Sequence, residues 1–218
     1  MEKLNKYIDH TNLKPFATEQ DIELLCADAL KFDFASVCVN PANIPLAKKL
    51  LAGSTVKVCT VIGFPLGANT TEVKVFETEN AYELGCDEFD MVINVGALKD
   101  KKYDYVRNEI AAIVKAAKGK CVKVIIETGL LSDEEKAVAS RLSSEAGACF
   151  VKTCTGVSAG VATVEDVIIM KNNIAPNVKI KASSGIKTFA GAKALIDAGA
   201  TRLGTSSGSI ILEESLKA

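Results

Sequence analysis

Apolar residues along this chain fall into short β-branched runs separated by amphipathic stretches, and the two periods alternate from one end to the other. Ile22, Leu25, Cys26, Ala29 and Leu30 recur at helical spacing behind a capping pair, Thr18 with Asp21; the pattern then switches to the run Ser36–Val37–Cys38–Val39, closed by Asn40–Pro41. The same switch repeats. A helix around Ile44–Ala52 precedes the strand Val56–Ile62, whose exit Gly63–Phe64–Pro65–Leu66–Gly67 is a loop, and a helix capped by Thr70 or Thr71 and running to Leu84 precedes Glu88–Asn94. A helix around Tyr103–Ala117 leads to Val122–Glu127, and Ser132 with Glu135, at capping-box spacing, opens the helix ahead of Cys149–Lys152. Helices from Thr163 and around Phe189–Asp197 precede the strands Val178–Ala182 and Thr201–Gly204, and Ser209–Leu216 is the last helix. At the start, a short helix around Lys3–Lys6 feeds a brief strand, Tyr7–Thr11, stopped by Asn12–Leu13–Lys14–Pro15.

That makes eight strands, each followed by a helical segment. Strict β-α alternation favours parallel pairing, so the expected fold is α/β, a single (β/α)8 TIM barrel over residues 1–218. A doubly wound open sheet is the alternative, and no Gly-x-Gly-x-x-Gly follows an early strand to support it.

Composition narrows the function classes. With 218 residues, a net charge of −1 and 48% hydrophobic residues, the chain can bury a substantial core and has no pull toward a polyanion. Lys and Arg are scattered rather than grouped with aromatics, and tryptophan is absent, so no nucleic-acid partner is expected. No apolar run approaches the roughly 18 residues of a membrane span, and the N-terminus has no apolar signal core, so the expected location is cytoplasmic with no membrane partner. Seven cysteines without a Cys-x-x-Cys pair suit core thiols in a reducing compartment. The single histidine, His10, cannot alone build a His-based zinc site, and the cysteine spacings are too wide for a Cys-rich one; neither a metal nor a cofactor is expected.

Candidate chemistry comes from strand alternation. In Glu88–Asn94, one face carries Phe89, Met91 and Ile93 and suits the helix-facing outside of a barrel, which turns Glu88, Asp90, Val92 and Asn94 inward. Likewise Val178, Ile180 and Ala182 face out, leaving Lys179, Lys181 and Ser183 inside, and Phe150–Val151–Lys152 delivers a second lysine to a strand end. Each alone is compatible with a structural ion pair. Two lysines and an aspartate at the C-terminal ends of barrel strands, where barrel enzymes keep their sites, point instead to imine chemistry. A lysine attacks a carbonyl only as the free amine, and its ordinary pKa is about 10.4; a neighbouring ammonium such as Lys181 and partial desolvation both work against the charged form. Asp90 then suits a proton relay. Asp9 and His10 close the first strand and could line the site or form a structural pair, and Lys123 with Glu127 reads as an interior ion pair.

The loops Ser183–Ser184–Gly185 and Thr205–Ser206–Ser207–Gly208 follow the last two strands, each ahead of a helix, where backbone N–H groups and the helix dipole favour phosphate. Ser and Thr caps alone would explain either loop; together, Ser184, Gly185, Ser206 and Ser207 make a phosphate site the better reading, with Thr155 and Gly156 completing the cup. A phosphorylated aldehyde or sugar is therefore the expected small-molecule partner.

Five separated motifs carry a resemblance that runs nearly end to end: Ile8–Asp9–His10–Thr11–Asn12–Leu13–Lys14–Pro15, Gly67–Ala68–Asn69–Thr70–Thr71–Glu72–Val73–Lys74, Asp90–Met91–Val92–Ile93–Asn94, Phe150–Val151–Lys152–Thr153 and Lys181–Ala182–Ser183. The chain resembles the deoxyribose-phosphate aldolases. That resemblance implies a metal-free class I aldehyde-lyase of (β/α)8 fold that reversibly cleaves 2-deoxy-D-ribose 5-phosphate to D-glyceraldehyde 3-phosphate and acetaldehyde. It further implies a place in deoxyribonucleoside catabolism in the cytoplasm, and assembly as a homo-oligomer. Lys152 matches the Schiff-base lysine, Lys181 the lysine that tunes it and Asp90 the relay aspartate. Three positions depart from the family pattern: Cys154 in place of serine, Ser184 in place of a second glycine, and Val161 in place of the second glycine of Gly-Gly-Ala-Thr. The residues alone also admit another imine-forming aldolase, a sugar-phosphate isomerase with Asp90 as base, or a phosphate-ligand binding protein.

Overall fold

The computed structural model describes residues 4–158 and 160–217. Its strands are β1 (Ile8–Asn12), β2 (Ser36–Val39), β3 (Lys57–Ile62), β4 (Glu88–Val92), β5 (Cys121–Ile125), β6 (Phe150–Lys152), β7 (Lys179–Ser183) and β8 (Arg202–Thr205). All pair in parallel in sequence order, and β8 returns to β1 to close the barrel expected from the alternation. The helices are α1 (Glu19–Phe32), α2 (Ile44–Leu50), α3 (Thr71–Glu83), α4 (Val95–Lys99), α5 (Tyr103–Ala116), α6 (Asp133–Glu145), α7 (Val164–Lys171), α8 (Phe189–Ala198) and α9 (Gly208–Ser215). The expected N-terminal helix is a 3-10 turn over Leu4–Tyr7, and Lys3 lies outside the described residues. The short α4 has no counterpart in the sequence reading.

Local chemistry explains the boundaries. Thr18/Asp21 and Ser132/Glu135 both form reciprocal capping boxes, and Thr70, rather than Thr71, caps α3 through Val73 N–H. Outward strand residues, among them Val37, Phe89, Met91, Val124, Val151, Ile180 and Leu203, form the main core against the helices. Inside the barrel a small apolar cluster, Cys38, Cys59 and Val61, packs with Leu13 and Phe64. The interior of a (β/α)8 barrel is ordinarily filled by branched aliphatic side chains. Here charged side chains fill much of it, and such groups are tolerated in a dry interior only when paired.

Three inward assignments change. β4 ends at Val92, so Asn94 leaves the strand and caps α4, its Oδ1 accepting from Ala97 N at 2.9 Å. β5 ends at Ile125, and Glu127 adopts a left-handed backbone (φ +57°) that breaks the alternation. The expected Lys123–Glu127 pair is therefore absent: Glu127 accepts the Thr155 N–H instead, at 3.2 Å. Lys179 sits at the N-terminal end of β7 and is exposed on the floor side, far from the C-terminal mouth.

Candidate active site

The charged interior is built up from the floor. Arg202 stacks over the Phe150 ring, 5.3 Å from its centroid, and donates to Asp9 Oδ1 at 2.7 Å and to Glu88 Oε2 at 3.0 Å. Above it, Lys123 Nζ lies 2.7 Å from Glu88 Oε2 and 2.8 Å from Asp90 Oδ1. Lys181 donates to Asp9 Oδ2 and, at 2.7 Å, to Asp90 Oδ2. Lys152 donates to that same Asp90 oxygen at 2.8 Å.

Register produces this convergence. Pairing of β4 with β5 sets Asp90 beside Lys123, and pairing of β6 with β7 sets Lys152 beside Lys181. Gly204 on β8 makes room: a Cβ there would fall 3.0 Å from Lys181 Cε and 2.9 Å from Ser183 Cβ. Lys152, Lys181 and Asp90, singled out from sequence, thus meet at a single carboxylate oxygen.

Electrostatics divides the roles. Burial works against ionisation of Asp90 and Asp9, yet the surrounding cations win, Lys123, Lys152 and Lys181 for Asp90 and Lys181, Lys123 and Arg202 for Asp9; both carboxyls are held well below their ordinary range. Burial opposes the charge on Lys181 too, but Asp9 and Asp90 outweigh it and raise its pKa. Lys181 and Lys123 are both fully buried, whereas Lys152 keeps 3% exposure and lines the cavity at the barrel mouth. Of these lysines, Lys152 is the one a ligand can touch.

That cavity, about 440 Å³, is lined by all six residues expected to form a phosphate cup: Thr155, Gly156, Ser184, Gly185, Ser206 and Ser207. Ser206 and Ser207 stand immediately before α9, but α8 begins only at Phe189 with Thr188 as its cap, so Ser184 and Gly185 do not open a helix. Their positive φ values, +83° and +78°, instead make a tight left-handed turn. The Thr155 hydroxyl accepts from Val157 N and Ser158 N and so shapes its own loop. Lys14 and Lys187 also line the mouth and were not singled out; Lys187, two residues after Gly185, is the available signal, a cation in a loop already identified.

The remaining candidates separate cleanly. Asp9 points inward and belongs to the charged network, while His10 faces outward against Phe34 (centroids 5.2 Å apart), with Asp28 at 3.6 Å; it does not line the mouth. Cys154 is buried beside Thr128 Oγ1, 3.2 Å away, and also lies outside the cavity lining. Val161 packs against the turn, within 2.8 Å of where a Gly185 Cβ would stand. Cys38 and Cys59, too far apart in sequence for a metal motif, meet across β2 and β3 and lie with Asp90 in a cluster of potential ligand atoms within 4.8 Å. Spacing along the chain was therefore the wrong test. Lys123, 3.2 Å from Cys59 Sγ and 2.8 Å from Asp90 Oδ1, supplies the positive charge there, which disfavours a cation.

The same architecture recurs among known proteins. The family model for DeoC/LacD aldolases matches residues 3–215. The deoxyribose-phosphate aldolase of Streptococcus gordonii is 58% identical over 211 residues, covering 97% of this chain and 96% of its own, and that of Clostridium perfringens is 57% identical over 213 residues, covering 97% and 95%. Among solved structures, the deoxyribose phosphate aldolase of Aeropyrum pernix superposes with a TM-score of 0.88 at 36% identity, covering 98% of this chain and 91% of its own. Matching along nearly the whole length, the chain belongs to the DeoC/LacD family of aldolases.

Proposed function

We propose that the protein is a class I aldolase that reversibly cleaves 2-deoxy-D-ribose 5-phosphate to D-glyceraldehyde 3-phosphate and acetaldehyde, with Lys152 as the imine-forming lysine. One observation carries the mechanism: Lys152 and Lys181 share Asp90 Oδ2, and only Lys152 lines the cavity. The substrate assignment rests on the relatives that the chain matches over nearly its full length.

Unprotonated Lys152 Nζ adds to the C1 aldehyde of the open-chain sugar, and the resulting carbinolamine takes up one proton from solvent and loses water to give the cationic imine. That cation draws in the electrons of the C2–C3 bond as the C3 hydroxyl gives up its proton. The bond breaks, D-glyceraldehyde 3-phosphate leaves, and an enamine of acetaldehyde remains on Lys152. Protonation at C2 and hydrolysis release acetaldehyde and the amine. Asp90, ionised and hydrogen-bonded to both amines, relays the protons directly or through water. Lys181, held as an ammonium between Asp9 and Asp90, supplies the fixed positive neighbour.

The left-handed turn at Ser184–Gly185, the start of α9 at Ser206–Ser207 and the loop at Thr155–Gly156 hold the 5-phosphate, with Lys187 at the rim. This reading extends to a cytoplasmic role in deoxyribonucleoside catabolism and to a homo-oligomer. No described helix is long and apolar enough to cross a membrane, the A. pernix relative is described as a unique tetramer, and Phe16, Leu66 and Phe76 leave large apolar side chains exposed. Incubation with 2-deoxyribose 5-phosphate should yield equal amounts of acetaldehyde and glyceraldehyde 3-phosphate, and Lys152→Ala should yield neither. Turnover retained by folded Lys152→Ala would overturn the assignment of the amine, and no cleavage by the wild-type protein would overturn the substrate.

A further inference from the structure

The opposite end of the barrel carries a second chemical feature that the aldolase reaction does not use. Cys26, Cys38, Cys59, Cys86 and Cys154 are buried, but Cys121 is half-buried and Cys149 exposed. These last two line a floor cavity of about 380 Å³ together with Lys57, Glu88, Lys179 and Arg202. We propose that Cys121 and Cys149 form a reactive dithiol, a modification site at which a small anionic disulfide is reduced and the two protein thiols are joined across β5 and β6.

Backbone geometry permits the bond. Cys121 opens β5, and Cys149 occupies the bend just before β6, where its N–H donates to Val122 O at 2.9 Å and its carbonyl accepts from Lys179 N at 3.0 Å. The register that sets Lys123 opposite Phe150 makes Cys149 a diagonal neighbour of Cys121. In a parallel sheet that relation separates the Cα atoms by roughly 6 Å, inside the range a disulfide spans. Because Cys149 precedes the strand, it is released from strict alternation, and it lines the same floor cavity as Cys121.

Charge selects the reactive member and the partner. The neighbouring Cys121 thiol lowers the Cys149 pKa to about 6 against the opposing effect of burial, while Cys121 is raised. Glu88 is occupied by Lys123, Arg202 and Lys57. Lys179 has no carboxylate partner among the described residues, and its ammonium lies 5.9 Å from the Phe150 ring centroid. An anionic disulfide therefore meets uncompensated positive charge beside the Cys149 thiolate.

The exchange balances. Cys149 thiolate attacks one sulfur of the small disulfide, whose S–S bond breaks to release one thiolate and leave a mixed disulfide. Cys121 gives its proton to that thiolate or to water and attacks the Cys149 sulfur, expelling the second small thiolate. The two protein thiols are oxidised and the small disulfide is reduced to two thiols.

The test is intact-mass and peptide mapping of the native protein after incubation with oxidised glutathione, alongside C121S and C149S, with folding checked by circular dichroism. The wild type should lose two hydrogens, yield a Cys121–Cys149 cross-linked peptide and recover on reduction with dithiothreitol. C121S should stop at a glutathione adduct on Cys149, and C149S should remain unmodified at Cys121. Alkylation of Cys149 by iodoacetamide at neutral pH should slow about tenfold in C121S, as its thiolate fraction falls. A stable adduct on Cys149 in the wild type, a cross-link through another cysteine, or no reaction would each overturn the proposal. These readouts are independent of aldolase activity.

Discussion

Asp90→Asn is the substitution that most fully tests the charged interior. Asp90 accepts from Lys123 and the Cys59 thiol on Oδ1 and from Lys152 and Lys181 on Oδ2. An amide keeps the shape but removes the anion and turns one acceptor into a donor facing ammonium groups. Removing one partner from a buried ion pair costs about 3–5 kcal/mol, against a typical domain stability of about 5–15 kcal/mol, so the variant should fold with a melting temperature lower by about 10 °C. The pH dependence has a definite sign. Asp9 and Asp90, depressed in the folded state, contribute stability that is present above the ordinary carboxylate range and lost only as pH falls through their folded values; Lys181 and Lys123, raised, contribute stability present below the ordinary amine range and lost as pH rises through theirs. The wild type should thus be stable from about pH 4 to about pH 10, and Asp90→Asn should lose stability earlier on the alkaline side, since both lysines lose a counter-ion. Chemically, imine formation should persist while proton transfer fails. In D2O, NMR should show enzyme-dependent deuterium entry into the acetaldehyde methyl group falling by about 10²-fold or more, with borohydride trapping retained. A folded variant that exchanges deuterium within a few-fold of wild type would refute the relay role of Asp90.

Lys181→Leu removes the fixed ammonium but leaves Asp9 bonded to Arg202 and Ser36; it should fold, lose activity near neutral pH by about 10²-fold or more and recover part of it at alkaline pH, and an unchanged pH–rate profile would contradict the tuning role. Gly204→Ala puts a methyl group 3.0 Å from Lys181 Cε and 2.9 Å from Ser183 Cβ; it should cost about 1–3 kcal/mol in urea unfolding and lower kcat, whereas wild-type stability and rate would show that Lys181 does not need that space. Ser184→Gly relieves a side chain held at φ +83° but loses the Oγ bond to Gly160 O (3.1 Å), so stability should shift by no more than about 1 kcal/mol. By letting the backbone approach the phosphate more closely it should lower KM for 2-deoxyribose 5-phosphate and leave that for unphosphorylated 2-deoxyribose unchanged, and an equal effect on both would contradict a phosphate role for the turn.

The barrel was legible because both periods are clean: outward Phe89, Met91, Ile180 and Ala182 alternate with inward Asp90 and Lys181, and caps such as Thr18 and Ser132 mark helix starts. Asp90, Lys152 and Lys181 could be found because alternation alone fixes their side. What alternation cannot give is who meets whom across the barrel. Arg202 reaches Asp9 and Glu88, and Lys181 reaches Asp90, only because closure brings distant strands together. Strand ends were the other blind spot. Glu127 follows alternation on paper, but its left-handed backbone redirects it to Thr155, and Asn94 leaves β4 to cap α4. Cys38 and Cys59 show the same limit from the opposite direction, since residues far apart in sequence pair directly between adjacent strands.

The central claim is that Lys152 forms the covalent bond, and its most direct measurement is peptide mass spectrometry after incubation with acetaldehyde and borohydride, with a parallel sample preincubated with 2-deoxyribose 5-phosphate. An ethyl adduct confined to Lys152, the lysine of the network that lines the cavity, is the expected result. An adduct on Lys181 or on a surface lysine, or none on folded protein, would contradict it.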